Sequence, residues 1–155
     1  MNTERYNIFM QQAVEQAKKA AAIGEVPVGA VIVLEDKIIG TGYNKRETSQ
    51  NSLHHAEIEA INAACEYLKT WRLLGCELYV TLEPCPMCAG AIINSRIDKV
   101  IFGCEDYKSG SCGSVINLFE LPYNHRPKIV SGIMKDECSS ILSEFFKNLR
   151  KNKIT

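Results

Sequence analysis

The chain has 155 residues, 46% hydrophobic and 23% charged, the balance of a soluble globular protein large enough to bury a proper core, so residues 1–155 are expected to form a single domain. Eighteen Lys plus Arg offset eighteen Asp plus Glu, so whole-molecule charge offers no support for a general nucleic-acid or membrane binder, and a polyanion partner would need a local patch. No apolar run approaches the roughly 20 residues of a membrane span, and Met1 to Gln12 interleave Glu4 and Arg5 where an export signal would be apolar, which points to the cytoplasm.

From Thr3 to Ile23, Tyr6, Phe9, Met10, Ala13, Ala17, Ala20 and Ala21 recur at three- and four-residue steps, the stripe of an amphipathic helix with Thr3 as N-cap and Gly24 as its stop. Val26 to Leu34 is β-branched and nearly continuous, and Ile38 to Tyr43 resumes the pattern after a polar turn, so a hairpin is predicted with its first strand buried on both faces. Asn44 to Leu53 lacks periodicity and reads as a surface loop. A helix over about His54 to Leu68 follows, then a strand at Glu77 to Leu82, a short helix at Pro86 to Ser95, and a strand at Asp98 to Gly103. A brief strand at Lys128 to Ser131 and a helix from Lys135 to Lys151 complete the chain. Strands alternating with helices after an opening hairpin predict a mixed α/β sheet covered on both faces.

The seven cysteines are an odd number in a chain without an export signal, so a disulfide framework is not expected. Only Cys85 and Cys88 have ligand-like spacing; Cys65, Cys76, Cys104, Cys112 and Cys138 read as small core residues.

Two motifs carry chemistry: His55-Ala56-Glu57 at the start of one helix and Pro84-Cys85-Pro86-Met87-Cys88 at the start of the next. Unpaired N–H groups and the positive dipole end at a helix N-terminus favour thiolates, and two cysteines three residues apart can grip one ion. One imidazole and two thiolates suit Zn2+, with a fourth position left for water that the metal can acidify. Glu57 would then manage the proton. It lies about 200° around an ideal helix from His55, so the two serve one site only if they project past the helix end. Cys-x-x-Cys alone is equally consistent with half a structural zinc site or a redox pair, and His54 is a rival ligand. His-x-Glu followed by Pro-Cys-x-x-Cys, however, is the signature by which the zinc nucleobase deaminases themselves are defined.

On these residues the chain resembles the cytidine-deaminase-like superfamily and, within it, the family of bacterial tRNA-specific adenosine deaminases. The likeness extends through Glu25 to Ala30, Gly42 to Asn44, Leu78 to Pro84, Ala89 to Ala91, Ser95 to Ile97, Asn124 to Arg126 and Glu137-Cys138. The spacing in that family selects His55 over His54. The resemblance implies a three-layer α/β/α fold with a five-stranded mixed sheet, one Zn2+ per subunit on His55, Cys85 and Cys88, and a homodimer. It implies hydrolytic deamination of the wobble adenosine of a tRNA anticodon to inosine, chiefly in an arginine tRNA, with Glu57 moving a proton to the adenine ring. It further implies that Asn44 hydrogen-bonds the target nucleotide, that Val28 and Ala56 line its pocket, and that Asp106, in Gly-x-x-Asp-x-Lys-x-Gly from Gly103 to Gly110, contacts neighbouring nucleotides.

Phe145, Phe146, Lys147 and Arg150, with Lys151 and Lys153, could stack on or neutralise the anticodon stem-loop, although a phenylalanine at helical spacing is more often core and a basic tail is usually a solvated end. Lys45, Arg46 and Lys108 are weaker candidates of the same kind. Ala89 to Ile93 reads either as a dimer contact or as core. Asn51-Ser52-Leu53-His54 departs from the Asp-Pro-Thr-like approach of relatives, which bears on the loop before His55. Two other readings remain: a free cytosine, guanine or nucleoside deaminase with the same machinery, and a zinc-stabilised RNA-binding protein without turnover, which Glu57 beside an open metal position disfavours.

Overall fold

The computed structural model describes residues 2–154. In chain order it contains helix α1 (Thr3–Ala22), strands β1 (Gly29–Leu34) and β2 (Lys37–Tyr43), a short α2 (Arg46–Ser49), α3 (Ala56–Leu68), β3 (Glu77–Leu82), α4 (Pro86–Asn94), β4 (Lys99–Cys104), β5 (Lys128–Val130) and α5 (Lys135–Ile154). The sheet runs β2-β1-β3-β4-β5. β1 is antiparallel to β2 and β3, whereas β3, β4 and β5 are mutually parallel. This is the expected three-layer α/β/α fold with a five-stranded mixed sheet.

Strand alternation sorts the core into two layers. Ala30, Ile32, Leu78, Val80, Val100 and Phe102 face α3 and α4, packing on Ala60, Ala64, Ala89 and Ile92. Val31, Val33, Tyr79 and Ile101 face α1 and α5, packing on Met10, Val14 and Cys138. Because both faces are covered, β1 is buried from Gly29 to Val33, as its unbroken β-branched run predicts. Arg5 staples α1 to the sheet, donating to Asp36 at 2.7 Å, Glu77 at 2.7 Å and the buried Tyr79 hydroxyl at 3.0 Å.

The head of α3 lies almost on the backbone of β2. A methyl group at Gly42 would run into the Ala56 carbonyl oxygen and lie 2.7 Å from the Ala60 nitrogen, so only glycine lets the helix approach this closely.

The structure corrects several boundaries. β1 begins at Gly29 rather than Val26, because Val28 N–H turns back to the Val26 carbonyl at 2.9 Å and Pro27 has no ladder donor. The N-cap of α1 is Asn2, not Thr3, and it makes no side-chain capping bond. Gly24, with φ at +81°, ends α1 as expected. The loop after β2 contains α2, and α5 continues to Ile154. Ala89, Ile92 and Ile93 are buried within the subunit, whereas Gly90 and Ala91 are partly exposed, so the core reading takes the first three. Among the described residues, no helix is long and apolar enough to cross a membrane.

Candidate active site

The two signature motifs meet because α3 and α4 begin side by side at the same end of the sheet. His55 and Cys85 occupy equivalent places, each the N-cap of its helix in extended conformation, with φ/ψ of −81°/157° and −76°/174°. N-caps are usually Ser, Thr, Asp or Asn, whose side chains satisfy the first helical N–H groups. Neither residue here makes a capping bond, which leaves both side chains free to point past the helix ends. Pro86 at the first position of α4 gives up an N–H that would have no helical partner anyway.

Cys85 Sγ lies 3.5 Å and Cys88 Sγ 3.6 Å from His55 Nδ1, and the three donor atoms all lie within 4.8 Å of one another. These three residues could hold a metal ion. His54 is not among them: its ring meets Ser49 Oγ at 2.6 Å and Asn51 Nδ2 at 3.3 Å. Asn51 accounts for the unusual approach to His55, since its side chain accepts the Leu53 N–H at 2.9 Å and builds the turn itself.

Protons are shared unevenly across the cluster. The Cys85 thiol is pulled down to about 4, first by the hydrogen bond from Cys88 and, against the cost of burial, by His55. Cys88, the donor of that pair, is pushed up. His55 is raised, chiefly through its bond to Cys85 and also by the Glu57 charge. Glu57, in the first turn of α3 and only 4% exposed, is pushed up to about 7 by burial, with the Cys85 charge adding to it. A carboxyl in this state can hold or release a proton near neutral pH.

His55, Glu57 and Cys85 open into one cavity of about 180 Å³. Asn44, Val28, Ala56 and Asp106 all line it. Asn44 is itself fixed, its Nδ2 donating to the Val26 carbonyl at 3.2 Å and its Oδ1 accepting the Arg46 N–H at 3.2 Å. Cys88 lies buried behind this surface. Phe145, Phe146, Lys147 and Arg150 are not part of it. Phe145 is half-buried in a groove against Lys18, Ala21 and Gly24, its ring 5.5 Å from that of Phe146, and Lys147 and Arg150 are exposed. That groove reaches Gly24, two residues before Val26 of the cavity wall.

Sequence reasoning missed Val26, Leu82, Glu83 and Ser109 in the wall, and it gave Glu25 no role. Glu25, 1% exposed, accepts the Glu47 N–H at 3.1 Å and the Thr48 N–H at 2.5 Å, holding α2 beside the cavity. Burial alone would raise the Glu25 carboxyl, but these bonds outweigh it and keep it below the usual carboxylate range. A depressed folded value gives stability that is present above the ordinary value and lost as pH falls through the folded one. Glu25→Gln is therefore expected to lower the melting temperature by roughly 6 °C at neutral pH, with the gap from wild type closing as the pH falls below the usual carboxylate range. Thermal melts at stepped pH check this; a gap independent of pH would remove the charge from the account.

This strand order, with a donor cluster and a buried carboxylate at the head of two helices, defines a deaminase of the cytidine-deaminase-like class, and a model of the MafB19-like deaminase family matches residues 4–150. The chain belongs to that family and to the tRNA-specific adenosine deaminases, being 52% identical over 147 residues to the tRNA-specific adenosine deaminase of Bacillus subtilis (strain 168), 94% of this chain and 91% of that one. A solved structure from a study of A-to-I editing by tRNA:A34 deaminases at the wobble position of transfer RNA superposes with a TM-score of 0.84 at 41% identity, covering 86% of this chain and 98% of that one. Guanine deaminase from Bacillus subtilis is similar at a TM-score of 0.62 and 36% identity, over 77% of this chain and 76% of that one.

Proposed function

We propose that this protein hydrolyses the wobble adenosine of a tRNA anticodon to inosine, releasing ammonia, with an arginine tRNA as the expected substrate. One observation carries the reading: a His-Cys-Cys donor set and a buried carboxylate share one cavity in a chain 52% identical to a tRNA-specific adenosine deaminase. The donor set fits zinc. Tetrahedral zinc with ordinary Zn–N and Zn–S lengths needs N···S separations of about 3.6 Å, and His55 Nδ1 lies 3.5 and 3.6 Å from the two sulfurs. His55, Cys85 and Cys88 would hold one Zn2+ per subunit, which when bound acidifies water and supplies the nucleophile.

Glu57 takes a proton from the attacking water and delivers it to the adenine ring nitrogen, making C6 electrophilic as the water oxygen bonds to it, and then passes the proton of the new hydroxyl to the amine, which departs as ammonia when the C6–N bond breaks. Asn44 offers hydrogen bonds to the target nucleotide, Val28 and Ala56 give the base an apolar seat, and Asp106 meets the adjoining nucleotides. Residues 1–155 act as a single deaminase domain, in the cytoplasm and as a homodimer. Phe145, Phe146, Lys147 and Arg150 extend the contact along the anticodon stem-loop; the groove running from Phe145 to Gly24 supports this.

The test is turnover of zinc-loaded protein on an anticodon arm carrying a wobble adenosine, beside free guanine, cytosine, cytidine and adenosine. Inosine in the RNA alone is expected. Ammonia from a free base with untouched RNA would make this a nucleobase deaminase, as its likeness to guanine deaminase allows. In the same assay, changing Lys147, Arg150 and Lys151 together to Ala should weaken RNA binding and flatten its salt dependence, with metal content unchanged. An unaltered salt slope would exclude the patch.

A further inference from the structure

Glu83 is a buried anion that the catalytic scheme does not use. It follows β3 directly, is 2% exposed, and lies on the wall of the cavity. None of the ion pairs among the described residues involves it. Burying a carboxylate without a cation is costly unless its lone pairs are filled. Here all the compensation comes from one loop. Oε1 accepts the Asp106 N–H at 3.1 Å and the Ser114 hydroxyl; Oε2 accepts the Cys112 N–H at 2.9 Å and the Ser114 N–H at 3.1 Å.

These bonds cinch together the two ends of the segment from Asp106 to Ser114. Inside it, the Asp106 side chain accepts the N–H groups of Lys108 at 3.0 Å and Ser109 at 3.3 Å and the Ser109 hydroxyl at 2.9 Å, so the position of Asp106 passes to Ser109. Gly110 closes the turn against both partners: a methyl there would collide with the Asp106 carbonyl oxygen and the Glu83 carboxyl carbon. Asp106 and Ser109 are the two residues of this loop that face the cavity.

We propose that Glu83 is a positioning residue for substrate binding: it is the template on which the 106–114 loop is wound, and it sets where Asp106 and Ser109 meet the RNA. The inference rests on the anticodon arm being the substrate. An amide cannot replace the carboxylate, because every bond Glu83 makes is one it accepts, and the NH2 of a glutamine would face N–H or O–H donors.

The experiment compares wild type, Glu83→Gln, Asp106→Ala and the double variant, all zinc-loaded, on the wobble-adenosine anticodon arm, with amide hydrogen exchange on the RNA-free proteins. Glu83→Gln is expected to raise KM by roughly tenfold or more while kcat changes by less than about threefold. Metal content should be unchanged, and exchange at Asp106, Cys112 and Ser114 should speed up by roughly tenfold. In the Asp106→Ala background the KM effect should largely vanish, since both changes disable the same loop. Additive effects, a fall in kcat at constant KM, or accelerated exchange with unchanged KM would each overturn the proposal. If Glu83→Gln does not fold, Ser114→Ala decides: a KM rise of roughly threefold that disappears in the Asp106→Ala background supports the template, and additivity overturns it. A wild type without turnover on RNA would sink the substrate reading and this inference with it. A wild type active on RNA but matched by Glu83→Gln would sink the inference alone.

Discussion

Glu57→Ala is expected to bind zinc as wild type does and to lose turnover by roughly 10³-fold or more. The reason is a division of labour at the head of α3. His55 stands outside the helix as its N-cap and faces the two sulfurs, whereas Glu57, two residues on, lies within the first turn and opens on the cavity without joining the donor cluster. On the proposed scheme, removing its carboxylate would take away the proton carrier and leave the donor cluster of His55, Cys85 and Cys88 in place. Ala56 and Ala60 bury the same turn against the sheet, so folding does not depend on the carboxylate. Glu57→Gln keeps the shape and loses the proton, and it should fail to nearly the same degree. Metal analysis and single-turnover assays on both variants test this. Near-normal turnover would sink the proton-transfer role, and loss of zinc would make Glu57 part of the metal site.

The features carried by local pattern were legible before folding. The alanine stripe of α1, the unbroken run of β1 and the short strands β3 and β4 each follow from periodicity, and the start of α4 follows from Pro86, whereas α3 opens at Ala56, two residues later than the predicted His54, with His55 as its N-cap. The geometric doubt over His55 and Glu57 also has a definite answer: they share a site because one precedes the helix and the other opens it. Illegible were the features whose partners lie far along the chain. Glu25 and Glu83 read as charges beside apolar strands, and nothing near them in sequence announces that Thr48, 23 residues on, or Ser114, 31 residues on, will supply the N–H groups that make burial tolerable. The four-residue α2 was missed for the same reason, because Glu25 holds it in place of any helical periodicity. The resemblance located the wall residue Asp106, but not the carboxylate that places it.

Cys88→Ser is expected to lose the metal, and with it both turnover and part of the protein's stability. Cys88 is fully buried behind the cavity, with its sulfur 3.6 Å from His55 Nδ1. A serine oxygen there is harder, less acidic and on a shorter bond, so it neither reaches the ion as well nor ionises to match it. A ligand that binds only the folded state stabilises it by about 4 kcal/mol at a thousandfold excess over its dissociation constant. For a chain of this size that corresponds to roughly 10 °C in melting temperature. The variant should therefore melt near the temperature of chelator-treated wild type, and chelator should shift it little further. Both measurements are needed, because a drop in melting temperature alone would also follow from a badly fitted core residue. If Cys88→Ser is destabilised and chelator lowers its melting temperature as far again, the metal is still bound, and the donor cluster at the head of α3 and α4 is not the whole of its site.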